Sequence, residues 1–265
     1  MEGIADYEFE RSLGGGNHGE FFLARRPERL PVDAEHVAVK VLSGPTTEDV
    51  FRRATRELSA FAAVRSPYLV ALYDAGQQGG VFYYSMEYLP GGSLAKPTLP
   101  LTRDDVLTAV AHVSRAAHAL HEAGIVHRDI KPGNVLLHAG GAKLSDLGLS
   151  QVLAPGMTLT GMGSMGSVEF NDPMLLQGDA PSRATDIWSL AVTLHRALTG
   201  RGIYGELLEN DPVLVLRKVL STKPAISDEL DEPAAELIRY AISADPAARP
   251  GTALEFAERV EALAA

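Results

Sequence analysis

The sequence predicts an α+β chain of two lobes, a small β-rich one carrying a single helix and a larger one that is mainly helical. Three observations predict it. The first third holds β-rich runs bounded by Gly- or Pro-containing turns. One stretch of helical period lies between those runs. Beyond Met86-Glu-Tyr-Leu-Pro-Gly-Gly92 the pattern is helical to the end of the chain, and the glycines of that segment suit a hinge. A length of 265 residues accommodates one large domain or two small lobes.

The elements follow in order. Val37-Ala-Val-Lys-Val-Leu42 and Val81-Phe-Tyr-Tyr-Ser-Met86 read as strands. Between them a helix is expected from about Glu48 to Val64. Leu58, Phe61 and Ala62 recur at i, i+3, i+4, and Thr46 or Thr47 can cap its start. The next helix runs from Thr102 to Ala123. Thr102 is its N-cap, Asp104 and Asp105 suit the positive end of the dipole, and Gly124 suits a left-handed C-terminal residue. Val106, Val110, Val113, Ala117 and Leu120 form its apolar stripe. Thr185–Leu198 is a further helix, stopped by Gly200, and later ones fit roughly 213–220, 234–243 and 252–264. No internal repeat or low-complexity tract is present.

Composition excludes several classes. There is no cysteine, so disulfides, thiol nucleophiles, iron–sulfur clusters and Cys-bound zinc are out. A formal charge of −10 argues against broad binding to nucleic acid or anionic membrane. No apolar run approaches the length of a membrane span. Met1-Glu-Gly-Ile-Ala-Asp6 lacks the basic and apolar regions of a signal peptide, so a cytoplasmic protein is expected.

Several residue groups carry chemistry. Leu13-Gly-Gly-Gly-Asn-His-Gly19 contains Gly14-x-Gly16-x-x-Gly19, and glycine lets backbone amides approach phosphate oxygens. The flanking Phe21-Phe-Leu-Ala24 is strand-like, which disfavours a dinucleotide-binding fold and leaves a plain hairpin as the bland reading. Lys40 ends the run Val37-Ala-Val-Lys40, and Glu57 follows on the first helix. Taken singly, each reads as surface charge. His127-Arg-Asp-Ile-Lys-Pro-Gly-Asn134 is denser. Asp129 can accept a hydroxyl proton, Lys131 can neutralise phosphate charge, and Asn134 can hold a divalent metal. Asp146-Leu-Gly148 adds a second carboxylate, and oxygen ligands of this kind suit Mg²⁺.

Taken together, these segments resemble the eukaryotic-like protein kinases, specifically the bacterial Ser/Thr branch. The resemblance spans about Tyr7 to Leu263. It joins the Gly-rich loop, Val37-Ala-Val-Lys40, Glu57, the His127-Arg-Asp loop, Asp146-Leu-Gly148, Asp186-Ile-Trp-Ser189 and Asp245-Pro-Ala-Ala-Arg249. It implies the two-lobed kinase fold, with an antiparallel β-rich N-lobe at 1–88, a hinge at 89–92 and a C-lobe at 93–265. It also implies roles. The phosphate-covering hairpin is Leu13–Phe21, with Phe21 where Val is usual. Lys40 would hold the α/β-phosphates, oriented by Glu57. Asp129 would position or deprotonate the substrate hydroxyl, and Lys131 would stabilise the transferring group. Asn134 and Asp146 would bind Mg²⁺ or Mn²⁺. Leu13, Ala38 and Leu136 would wall the adenine, Met86 would be the gatekeeper, and the backbone from Glu87 to Leu89 would meet the base. Asp186 would brace the catalytic loop. Phe61, Leu72, His127 and Leu147 would form the stacked apolar column, making His127 structural. Lys131 in this loop is the Ser/Thr pattern.

Two departures stand out. Where the family reads Gly-Thr-x-x-Tyr-x-Ala-Pro-Glu, this chain reads Gly166-Ser-Val-Glu-Phe-Asn-Asp-Pro-Met174. Phe170 loses a hydroxyl, and Met174 replaces the glutamate that normally pairs with the late arginine, here Arg249. A buried arginine without a carboxylate is costly, so Asp172 or another acid is expected to substitute.

The remaining features have plainer readings. His118 and His121 share a helix face but lack a third metal ligand. Trp188, Tyr83, Tyr84 and Tyr88 read as packing residues. Ser227–Glu232 reads as a solvated turn and helix start.

The resulting expectation is a Ser/Thr protein kinase using ATP and protein substrates, with no nucleic-acid partner. Thr158 and Thr160 are the expected phosphorylation sites of a regulatory loop, and a homodimer would serve autophosphorylation. A pseudokinase-like nucleotide-binding scaffold is the alternative, motivated by Phe170 and Met174. A small-molecule kinase is disfavoured by Arg128 and Lys131.

Overall fold

A computed structural model describes residues 2–16, 19–44, 46–146, 165–207 and 211–264. The chain divides into two compact units. The first takes in the described residues of 1–63 and 70–88, and the second those of 64–69, 89–148 and 157–265.

The first unit is an antiparallel sheet. Its strands are β1 (Gly3–Ile4), β2 (Tyr7–Gly16), β3 (Gly19–Arg25), β4 (His36–Leu42), β5 (Leu72–Gln78) and β6 (Val81–Glu87). They lie in the order β1-β2-β3-β4-β6-β5. Strand periodicity sorts the side chains. Val37, Val39 and Val41 face a core with Ile4, Tyr7, Ala24, Leu30 and Tyr83, which leaves Ala38 and Lys40 on the opposite face. The single helix α1 (Glu48–Ala63) buries Ala54, Leu58 and Phe61. Thr47 caps it, accepting the N–H of Val50 at 3.4 Å. Ala62, expected on the apolar stripe, is exposed. The helix is amphipathic on a narrow stripe that ends at Phe61, and a methyl group in water costs little.

The second unit has a small sheet ordered β10-β9-β7-β8, from β7 (Gly92–Ser93), β8 (Lys96–Pro97), β9 (Val135–His138) and β10 (Gly141–Leu144). Its helices include α2 (Arg103–Glu122), α3 (Pro173–Leu176), α4 (Arg183–Thr199), α5 (Pro212–Ser221), α6 (Glu232–Ala241) and α7 (Ala253–Glu261). Thr102 and Asp105 form a reciprocal capping box at the start of α2, and Gly124 follows its end at φ 76°. The start of α4 lies two residues before the expected Thr185, because Ser182 caps it and pairs reciprocally with Thr185. From Thr185 to His195 every residue of α4 is buried. A helix buried all round is the axis on which other segments are hung.

Candidate active site

The second unit assembles a dense polar loop between α2 and β9. After Gly124 the chain runs through His127-Arg128-Asp129, with Arg128 in the left-handed region at φ 72°. A non-glycine residue holds that conformation only when its surroundings enforce it. Asp186, at the start of α4, does so. Its carboxylate accepts the N–H of His127 at 2.8 Å and the N–H of Arg128 at 2.9 Å. The brace expected of Asp186 is present. Sequence reasoning missed its third partner: Nε2 of the buried His121 lies 2.7 Å from Asp186 Oδ2. In sequence His121 stands out only as the i+3 partner of His118, and no local pattern links it to a residue 65 positions away.

His127 is fully buried, and its two nitrogens have opposite jobs. The carbonyl of Ser145 can only accept, so Nε2–H donates to it at 3.1 Å, while Nδ1 accepts the N–H of Asp129 at 3.3 Å. Acceptance at Nδ1 requires the neutral ring, with its one proton on Nε2. Burial keeps it neutral by pushing the imidazole below its ordinary range, against the pull of the Asp186, Asp129 and Asp146 carboxylates. His127 is a structural strut, as expected.

Asp129 faces a prepared surrounding. Lys131 Nζ donates to both its carboxylate oxygens, at 2.9 and 2.8 Å. The amide nitrogen of Asn134 donates to the Asp129 carbonyl at 2.7 Å and to Oδ2 at 3.0 Å. That commits the nitrogen and makes Oδ1 the amide's acceptor atom. The Asn134 carbonyl in turn accepts both the N–H and the hydroxyl of Ser145, at 2.9 and 3.2 Å. Asn134 and the neighbour of Asp146 are therefore tied together. Asp146 itself is left-handed at φ 57°. An amide oxygen and a carboxylate are hard donors that fit a divalent cation bringing phosphate and water as further ligands. No group of three or more His, Cys, Asp or Glu side chains suited to a metal occurs among the described residues.

The first unit carries the remaining predicted residues. Gly14, Gly15 and Gly16 pair with Phe21, Glu20 and Gly19 in the β2–β3 hairpin. Gly19 is required by space: a Cβ there would sit 2.2 Å from the Val41 carbonyl oxygen. Leu13 is half-buried, Ala38 and Met86 are buried, and Glu57 stands half-buried on α1 beside Leu58. Ala38 pairs across the sheet with Met86, and Lys40 with Phe21 and Tyr84. One backbone donor next to the hinge is already in use. The Glu87 N–H already donates to the Ala71 carbonyl at 2.8 Å, so it is not a donor for a base. Leu89 and Leu136 belong to the second unit. Leu147, Thr158 and Thr160 lie outside the described residues.

The altered 166–174 segment is anchored as expected, with an addition. Arg249 pairs with Asp172, both side chains essentially without solvent contact. Asp172 Oδ1 accepts the Met174 N–H and caps α3, while Oδ2 takes the guanidinium. Arg249 also donates to the carbonyls of Ser243 and Ala184 and lies over the Trp188 ring. Phe170 is buried with Trp188, Val192 and Ile203, and its carbonyl accepts the Ser189 hydroxyl at 2.7 Å. The addition is Glu169, a buried carboxylate held by Arg196 through Nε at 2.9 Å and Nη2 at 2.6 Å.

The family profile described as protein kinase domain matches residues 7–260. The chain belongs to the protein kinase domain family. Its similarity to the serine/threonine-protein kinase PknJ of Mycobacterium tuberculosis is 32% identity over 272 residues, covering 98% of this chain and 45% of that protein. For PrkC of Bacillus subtilis the figures are 35% over 203 residues, 74% of this chain and 30% of that protein. The chain thus spans less than half the length of these relatives. The crystal structure of a mutant form of the M. tuberculosis PknI kinase domain superposes with a TM-score of 0.72 at 24% identity, covering 100% of this chain and 99% of that one. The kinase fold follows, and this family uses ATP and a divalent metal. Among the described residues no helix is long and apolar enough to cross a membrane.

Proposed function

We propose that this chain is the catalytic unit of a serine/threonine protein kinase. The observation that carries the reading is the cluster in which Asp129 receives Lys131 on both oxygens and Asn134 on its carbonyl and Oδ2. Asp129 accepts the proton of a substrate Ser or Thr hydroxyl as that oxygen bonds to the γ-phosphorus of ATP. The bond from γ-phosphorus to the bridging oxygen breaks and ADP leaves with the electron pair. Lys131 neutralises charge on the moving group. Lys40, oriented by Glu57, holds the α/β-phosphates under the hairpin of Gly14, Gly16 and Gly19. Leu13, Ala38, Met86 and Leu136 take the base, which meets the hinge through the Glu87 carbonyl and the Leu89 backbone. Mg²⁺ or Mn²⁺ would be held by Asn134 and Asp146, and when bound neutralises the phosphate charge.

Regulation belongs to the same reading. Phosphate on Thr158 or Thr160 would pair with Arg128 through charge-assisted hydrogen bonds. Two chains meeting as a homodimer would supply the autophosphorylation. We keep 1–88, 89–92 and 93–265 as N-lobe, hinge and C-lobe, a cytoplasmic setting, and no nucleic-acid partner. The scaffold alternative rested on Phe170 and Met174. The Asp172–Arg249 pair and the burial of Phe170 weigh against it.

The test is ATP turnover on a generic basic protein substrate by wild type, Lys40→Met and Asp129→Asn. Transfer by wild type and its loss, with unchanged melting, in both variants is expected. A wild type that binds ATP without transfer would favour the scaffold.

A further inference from the structure

Lys40 stands in an aromatic row. Strands β3, β4 and β6 are neighbours, and their register sets Phe21 opposite Lys40 and Lys40 opposite Tyr84. Side chains directly opposite across a sheet share a face, with neighbouring strands about 4.8 Å apart. The next row on that face is Leu23, Ala38 and Met86, so the aromatic row borders residues assigned above to the base. The Lys40 ammonium lies 4.8 Å from the Phe21 ring centroid and 5.9 Å from that of Tyr84. Both fall within the roughly 6 Å reach of a cation–π attraction. The two rings differ in setting. Tyr84 is fully buried, whereas Phe21 is only partly so and stands on the strand of the Gly-rich hairpin. One wall of the clamp is fixed and the other belongs to the segment that covers phosphate.

We propose that Phe21 is a positioning residue for Lys40. Its ring face holds the ammonium where the α/β-phosphates are to be met. A lysine carries a compact charge on a flexible four-carbon stem, and binding phosphate requires that stem to be ordered. An ammonium already confined between ring faces loses less freedom when the anion arrives, which is the gain of preorganisation. An aliphatic side chain at position 21 supplies bulk but no negative ring face. This inference rests on the kinase reading for its ligand and on cross-strand geometry for everything else.

The discriminating variant is Phe21→Leu, which keeps apolar bulk and removes the ring. Phe21→Tyr keeps the ring face. Two readouts need no phosphoryl transfer. The first is the Lys40 ε-methylene resonance in protein labelled with ¹³C-lysine. The chain has only six lysines, and Lys40→Arg assigns the peak. Without nucleotide it should show an upfield ring-current shift that largely collapses in Phe21→Leu and persists in Phe21→Tyr. The second is the dissociation constant for ATP with Mg²⁺, measured by calorimetry. It should rise about three- to tenfold in Phe21→Leu, and Phe21→Tyr should recover most of that loss. If Phe21 is only an apolar wall, Phe21→Leu will melt and bind ATP like wild type with the Lys40 resonance unmoved, and the proposal falls. A wild type that binds ATP as stated yet transfers no phosphoryl group would sink the kinase reading and leave this one standing on both measurements.

Discussion

The catalytic loop and the 168–174 segment are both anchored to α4, by opposite means. The loop offers its backbone: the N–H groups of His127 and Arg128 converge on one side chain, Asp186. The 168–174 segment offers mainly side chains: Glu169 reaches Arg196, Asp172 reaches Arg249, which in turn donates to the Ala184 carbonyl of α4, and the Phe170 carbonyl accepts the Ser189 hydroxyl. A backbone N–H cannot move along the sequence, so a loop held that way fixes the acceptor that holds it. A carboxylate can be supplied from more than one position. Met174 stands where the family has glutamate, and Asp172, two residues earlier, supplies the charge while capping α3 with its other oxygen.

The largest effect should come from the shared acceptor. Asp186→Ala strips two backbone N–H groups and His121 of their partner inside a buried site. Loss of about 3 kcal/mol or more in urea unfolding is expected, with phosphoryl transfer reduced more than about a hundredfold. Near-normal transfer in a folded Asp186→Ala protein would mean the loop holds its own shape. Asp172→Ala should cost about 3 kcal/mol, because it leaves Arg249 buried without its carboxylate. Here the contrast makes a sharper demand. Adding Met174→Glu to Asp172→Ala should restore part of the loss, since the acid is portable. No recovery would show the anchor to be as position-bound as the loop's. Arg196→Met should cost less, about 1–2 kcal/mol. Glu169 is buried, but its partner is more than a third exposed and solvent screens the pair.

The same contrast explains what was legible in the sequence. The two-lobe division, the caps at Thr102 and Gly124 and the Asp129–Asn134 loop were readable, because capping chemistry and local spacing carry them. Asp186 was readable only through the family resemblance. The need for a replacement acid followed from charge arithmetic on Arg249 and Met174. The Glu169–Arg196 pair was not readable. It joins a short 3₁₀ segment to the last turn of a helix 27 residues on, and each residue alone reads as ordinary surface charge. His121 failed for the same reason. Phe21 departs from the family's valine, but its place over Lys40 depends on strand register, which the sequence pattern does not specify.

A further effect separates the two anchors by pH. The neutral His127 ring bridges Asp129 and Ser145, and burial depresses its affinity for a proton. In the unfolded chain the same ring titrates near 6.5. Between that value and the lowered one of the folded loop, the unfolded chain binds more protons. Stability is therefore complete above about pH 6.5 and is lost as pH falls through it, by at most about 1.4 kcal/mol per pH unit for each such ring. His195 adds a contribution of the same sign. Its Nδ1–H donates to the Arg201 carbonyl and its Nε2 accepts the Ser227 N–H, so protonation breaks a bond there too. His112, also lowered by burial, is the third. Ordinary carboxylates titrate near pH 4, so the range from about 6.5 to 5 reads the histidines with little interference. Urea unfolding at stepped pH should show stability falling across that range. The His127 ring proton resonances should stay those of the neutral form throughout, because the folded protein refuses the proton. A His127 midpoint near 6.5 in the folded protein, or stability flat across the range, would show that the ring is not locked between Asp129 and Ser145. The loop's hold would then rest on Asp186 alone.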